Sequence, residues 1–407
     1  MVAEYNVYCA LCSCCLGNSC ELGSRSPRHM RIRRARVARR TYARSTGDQY
    51  YETEDESEEE KETRLKSMPW LREAAEADDG LDTASLADAR DDPSFDPDVL
   101  SRWGLDWLDD VVALGIADWK TSQKSYFIRE CAYDDRNVVY LNEDDDTDED
   151  DADDRYFAYG VSDLPDPPVY PMHRACLDLL SRAIFGVVDV ERIEKNVLYD
   201  VLHELSDFRY LSLDYGDITG PDQDWICVPG EEYSVTCPTD QLDLSEQLLR
   251  AKLALRQSTG TAQTPPPDLA GKVLHDPFRD LPYDITYQIL QNLPGESVLA
   301  LNKTSWTMLA RTDNHSFWKR RLAQDMPWLL ELPAYLEEDQ EQQEQRGERR
   351  NYNINYKLLY MWLDKRTEPA YGMSGEFMGV ANRRRIWGPC VEIAERYHRV
   401  LDKTREI

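Results

Sequence analysis

Residues 276–322 read DPFRDLPYDITYQILQNLPGESVLALNKTSWTMLARTDNHSFWKRRL, and the chain is organised around them. Leu281-Pro282 opens the stretch; Pro282 suits the first turn of a helix, where the amide that proline lacks would have no partner. Asp284 adds negative charge at that helix start. Ile285, Ile289, Leu290 and Leu293 recur at helical spacing and predict one apolar stripe. Pro294-Gly295 ends the helix. A second short helix is predicted through Val298, Leu299 and Leu301, and the Ser305-Trp306 and Phe317-Trp318 pairs mark a third helical region and its exit. About 45 residues cannot bury that much apolar and aromatic surface alone, because domains of this size are marginal. Either the rest of the chain or a partner must cover part of it.

In order and spacing, LPYDITYQILQNLPGESVLALNKTSWTML followed by SFWKRRL resembles the F-box. That pattern opens on Leu-Pro and an acidic residue, runs through spaced Ile and Leu into a short Leu-rich helix, and closes on a Phe-Trp or Leu-Trp pair. The resemblance implies a module that packs against the Skp-type adaptor of a cullin-RING ubiquitin ligase while the rest of the chain selects a substrate. Carried over, it implies that Leu281, Pro282, Ile285, Leu290, Leu293 and Val298 face the adaptor. Trp306, Phe317 and Trp318 would close the F-box core or its seam with the following domain. Where the family often has Val-Cys-x-x-Trp, this chain has Asn302-Lys303-Thr304-Ser305-Trp306, with polar groups where apolar ones are common.

At 407 residues, 41% of them apolar, with 10 Trp and 23 Tyr, the chain can build a sizeable core in two or three folded units. The net charge of -29 argues against the whole protein being a nucleic-acid binder, because contact with phosphates needs a net basic face. No stretch approaches the run of about 18 apolar residues needed to span a membrane. The N-terminus has no signal layout, and residue 2 is Val, which rules out myristoylation. A cytoplasmic or nuclear location is expected, where the 10 cysteines serve as thiols, metal ligands or core residues.

Half of those cysteines fall in residues 1–24. Cys9-Ala-Leu-Cys12 has the spacing of a zinc half-site, because a two-residue gap lets both thiolates turn toward one ion. The second half-site is sought in Pro171-Met-His173-Arg-Ala-Cys176, where His and Cys three apart at the start of a predicted helix share a face. Together Cys9, Cys12, His173 and Cys176 would make a Cys3His structural zinc site that ties the N-terminal hairpin to a helix from His173 to Gly186. The pairing is also implied by a resemblance to fungal F-box proteins, which often carry Tyr-Cys-x-x-Cys and Pro-x-His-x-x-Cys segments. Two other readings stay open: buried free thiols packing as small apolar residues, and a Cys176 nucleophile beside His173, with no oxyanion-hole motif to accompany it. Cys14, Cys15 and Cys20 are alternative ligands.

Nine arginines lie in residues 25–44, followed by an acidic run over 52–62. Together these form an arm without a packed core, 25–67, in which the opposite blocks attract each other or the basic one serves in nuclear import or in nucleic-acid contact. Leu105, Leu108, Val111, Val112 and Gly115-Ile116 predict a helix, and Tyr126 to Leu141 a further element. Ten of the twelve residues Glu143–Asp154 are acidic, so an exposed loop is expected over 143–155. Leu177, Leu180 and Ile184 make one apolar helix face, and Val197, Leu198, Val201, Leu202 and Leu205 a second. Short strands are expected at 210–213 and 225–228, a helix over 242–255, and a linker over 256–271. Leu358, Leu359, Trp362 and Leu363 predict another helix, and Val391, Ala394, Tyr397, Val400 and Leu401 a last one. Arg383 to Arg385 are expected at the surface, available to a target or to neighbouring carboxylates.

The fold class expected is therefore mainly α with a few short strands. A three-helix F-box at about 276–322 would sit between an α+β N-terminal region over 68–250, the expected substrate reader, and C-terminal helices over 323–407. The function expected is that of a non-enzymatic adaptor of a Skp-cullin-F-box ligase, with an unknown protein as target and no cofactor required. An adaptor-bound scaffold acting outside the ligase is the alternative. A Cys/His metalloenzyme is a third reading, but it needs an open coordination position that a four-ligand site lacks.

Overall fold

The structure, a computed structural model, describes residues 8–17, 99–117, 124–133, 138–141, 155–159, 166–206, 211–215, 230–248, 275–337 and 355–405. The arm over 25–67, the acidic loop, the linker, the run 225–228 and Cys20 lie outside the described residues. The chain divides into two compact units, Met1–Asp240 with Pro369–Ile407, and Gln241–Glu368.

The first unit is built on a five-stranded antiparallel sheet: β1 (Val111–Ala117), β2 (Ser125–Tyr133), β3 (Val138–Leu141), β4 (Arg155–Phe157) and β5 (Tyr170–His173), in the order β4-β3-β2-β1-β5. This makes the protein an α+β fold, and the expectation of a mainly α chain is corrected by it. The predicted helix through Leu105 and Ile116 is instead a short 3-10 stretch, Arg102–Asp109, running into β1. The reason is physical: β1 is covered on both faces, so VVALGIA is apolar throughout and shows no alternation that would separate strand from buried helix. In β2 the alternation is broken by half-exposed residues, and β5 carries a proline. Pro171 is tolerated because β5 is an edge strand. Of the strand expected at 210–213, residues 211–213 are described and form only an isolated bridge from Leu211 to Ser206.

Two helices follow the sheet where the apolar spacing places them. Helix α1 (Arg174–Phe185) buries Leu177, Leu180 and Ile184, and ends at Gly186, whose φ of 77° suits a left-handed cap. Helix α2 (Lys195–Leu205) buries Val197, Leu198, Val201, Leu202 and Leu205.

Within the second unit, the stretch expected as three helices holds four short ones: α3 (Tyr283–Asn292), α4 (Gly295–Thr304), α5 (Trp306–Thr312) and α6 (His315–Asp325). The third predicted region is split at Asn314, whose side chain accepts the Phe317 amide at 2.7 Å and starts a new helix. Met326, Trp328 and Leu329 continue the core, and α7 (Tyr356–Thr367) adds Leu359, Tyr360 and Leu363 to it. Gly295 allows a close approach: a Cβ there would lie 2.0 Å from the Tyr360 hydroxyl, which itself donates to Asp325 at 2.9 Å. Helix α8 (Met378–Arg405) returns the chain to the first unit and packs on α1 and α2. Among the described residues no helix is long and apolar enough to cross a membrane.

Asp276 ties the start of this helical stretch to α5. Its carboxylate accepts the Phe278 amide, the Ser305 hydroxyl and the Thr307 amide, each at 3.0 Å, so it satisfies an orphan donor at the start of α5. Burial works against its ionisation, but the hydrogen bonds from Thr307, Phe278 and Ser305 outweigh it and bring the carboxyl down to about 2 from 3.8. A depressed folded value means that its stabilisation is complete above pH 3.8 and is lost as pH falls through about 2. Asp276→Asn should cost about 1 kcal/mol at neutral pH. It should also reduce the loss of melting temperature in that acid window, as read from melts across pH.

Candidate functional site

The N-terminal segment folds into a tight hairpin. Tyr8 and Cys15 form an antiparallel bridge, the Cys9 amide donates to the Cys14 carbonyl at 2.8 Å, and the Ser13 amide donates to the Cys9 carbonyl at 2.8 Å. Ser13 has a φ of 59°, a left-handed turn that brings Cys9 and Cys12 to one side. The hairpin is docked on the edge of the sheet, where the Ala10 amide takes the outward Pro171 carbonyl at 3.0 Å. Tyr159 and Tyr215 donate their hydroxyls to the Tyr8 and Ala10 carbonyls at 2.7 and 2.8 Å.

That docking delivers Cys9 and Cys12 to His173, the last residue of β5, and to Cys176 in the first turn of α1. The four ligand atoms lie within 4.8 Å of one another, and all four residues are buried. Nδ1 of His173 is 3.4 Å from the Cys12 sulfur and 4.0 Å from that of Cys176. Its Nε2 lies 3.2 Å from the Cys15 carbonyl, which accepts from a protonated Nε2, and Nδ1 faces the sulfurs, where it would meet a metal ion. Backbone amides donate to the ligand sulfurs: His173 to Cys9 and Cys14 to Cys12, both at 3.4 Å. Trp107 covers the imidazole, with ring centroids 4.7 Å apart, and is itself held by a 2.8 Å bond from its Nε1 to the Val235 carbonyl.

The donor set fits a metal ion. Three sulfurs and one imidazole nitrogen, brought together from segments more than 150 residues apart, are a donor set that suits a four-ligand metal ion. The cluster can therefore hold a metal ion with all four positions filled by protein. Burial works against charge on Cys12, but hydrogen bonding with Cys14, Cys176 and Cys9 and the nearby His173 bring its thiol well below the ordinary range. Burial and the neighbouring Cys12 and Cys9 push the Cys176 thiol well up, the reverse of what activates a nucleophile. Cys14 is also buried and its thiol raised, while Cys15 contributes its carbonyl.

The six residues expected to face an adaptor fall into two groups. Pro282 and Ile285 are exposed, Ile285 at 45%, and Leu281 and Leu293 are half-buried; Tyr283 beside them is 62% exposed. Leu290 and Val298, at 3% and 0%, sit in the core behind that face. Trp318 is fully buried, whereas Trp306 and Phe317 are half-buried. Arg311 braces the opening of α3, donating to the Thr286 hydroxyl and to the Leu281 carbonyl.

Arg383 and Arg385 are not at the surface. Helix α8 turns them into the first unit, where Arg383 donates to the Pro238 and Asp240 carbonyls at 2.6 and 2.8 Å. Arg385 reaches the metal-site hairpin itself, donating to the Cys12 carbonyl at 2.8 Å. Nothing in the local sequence signals that contact, because its two ends are 373 residues apart. No family model, curated protein or solved structure matches this chain.

Proposed function

We propose that this chain is a substrate-recognition adaptor of a Skp-cullin-F-box ubiquitin ligase. The second unit docks on the Skp-type adaptor, and the first unit, closed around a structural zinc ion, receives the protein target. The observation that carries the docking reading is the opening of α3. Pro282, Tyr283 and Ile285 are exposed beside a half-buried Leu281, while Leu290, Val298 and Trp318 are buried in the core. An apolar face kept out of a filled core is what a partner-binding helix presents. The mechanism is proximity: anchoring the target near the ubiquitin-loaded partner raises the effective concentration of its lysines. Zinc is the ion chosen because closed Cys3His sets suit a tetrahedral, redox-inert, thiolate-binding cation.

Calorimetric titration with purified Skp-type adaptor tests the docking. The native chain should bind, and Ile285→Asp should weaken binding by about 100-fold, the scale of a central interface residue. Its melting temperature should stay unchanged, because Ile285 lies outside the core. Equal affinity of the two chains, or no binding by either, would contradict the reading.

A further inference from the structure

Arg385 is 8% exposed and its guanidinium is fully engaged, yet only by neutral groups. Nε and Nη2 both donate to the Asn382 Oδ1, at 3.0 and 2.8 Å, and Nη1 donates to the carbonyls of Cys12, at 2.8 Å, and Tyr215, at 3.4 Å. Asn382 is oriented for this by its own amide, which donates to the Thr236 carbonyl at 2.7 Å. Among the described residues no carboxylate pairs with Arg385. A buried cation without a counter-charge is costly, so the balancing charge is to be sought nearby. The group it abuts is the metal-site hairpin, through the carbonyl of a ligand residue. Three thiolates, one neutral imidazole and one divalent ion sum to a single negative charge. Neutral thiols and imidazole would offer Arg385 nothing.

We infer that Arg385 is a positioning residue of the metal centre, whose buried positive charge balances the net negative charge of the three thiolates and a divalent ion. The inference rests on the metal reading above and deepens it. It explains why an arginine at the far end of the chain is carried into the core with a neutral fork of acceptors, and it makes the charge of the loaded centre part of the fold. In the loaded protein Arg385 stabilises the centre.

The test is competition between the full chain and a chromogenic chelator for zinc, with cobalt absorption as a check on coordination. Melts of the loaded form accompany it. Arg385→Gln should weaken zinc binding by about tenfold to 100-fold, the range seen when groups behind the ligands are changed. It should lower the melting temperature of the loaded form. Arg385→Lys keeps the charge and loses the fork, and should recover most of the affinity. Native affinity in Arg385→Gln, or a Lys variant as weak as the Gln variant, would overturn the inference while leaving the metal reading standing. A native chain that takes up neither zinc nor cobalt would overturn both. Should Arg385→Gln fail to fold, Asn382→Asp supplies the guanidinium with a competing carboxylate and should weaken zinc about tenfold; unchanged affinity there would overturn the inference as well.

Discussion

Stripping the metal with a strong chelator is expected to unfold the first unit, and Cys176→Ser is expected to do the same. The centre joins the N-terminal hairpin, the end of β5 and the first turn of α1. The hairpin is otherwise attached by hydrogen bonds from Ala10, Gly17, Tyr159, Tyr215 and Arg385 and by the burial of Leu11. Closed Cys/His zinc sites bind with about 10–16 kcal/mol, comparable to the whole stability of a domain, about 5–15 kcal/mol. Without the ion, His173 and three thiols remain in a site with no access to water, which adds a penalty to the lost bonds. Binding should also weaken as pH falls, since protons compete for the thiolates and the imidazole. Near-ultraviolet circular dichroism during chelation should show loss of the first unit's aromatic signal. A melting curve indifferent to chelator would mean that the cysteines are packed thiols.

Trp318→Ala is expected to destabilise the second unit by about 3–5 kcal/mol, the cost of deleting a large buried aromatic side chain. Trp318 is fully buried, and its ring centroid lies 5.4 Å from those of both Phe317 and Tyr360. Its Nε1 also donates to the Thr312 carbonyl at 2.8 Å, an end-of-helix acceptor of α5 that would be left without this partner. Tyr360 would lose one wall of its site while still hydrogen-bonded to Asp325, which in turn receives the Gly295 amide at 3.0 Å. Trp318→Phe keeps much of the packing and loses the N–H donor, so it should cost roughly 1–3 kcal/mol. Chemical denaturation followed by a probe within 241–368 separates the two variants. Near-native stability in Trp318→Ala would place Trp318 outside the core.

Where a segment lies half in the core at a regular period, the sequence disclosed it. Helices α1 and α2 were legible because their apolar residues recur at helical spacing against polar ones, and the break at Pro294-Gly295 was visible in two residues. The sheet was hidden for the opposite reason. The interior strand β1 is apolar at every position, and the edge strand β5 carries Pro171, which weighs against a strand unless its edge position is known. Periodicity also cannot say whether a stripe meets the chain's own core or a partner. Ile285 and Leu290 belong to one predicted stripe, yet Leu290 is inside and Ile285 outside, because the buried face of α3 runs through Thr286 and Leu290. The Cys3His set was legible as two half-sites because coordination chemistry restricts the spacing of ligands. What surrounds it was not: Trp107, Tyr215 and Arg385 reach the site through long-range packing and bond to backbone carbonyls, which every residue type offers.

The proposal that this chain is a ligase adaptor is tested most directly by reconstitution. The purified chain, Skp-type adaptor and cullin-RING scaffold are mixed and resolved by gel filtration with native mass spectrometry of the fractions, beside the Ile285→Asp chain. The account predicts one complex holding all three components, absent for Ile285→Asp. A native chain that elutes apart from the adaptor would contradict the docking claim, and one that holds the adaptor but never the cullin would contradict the ligase role.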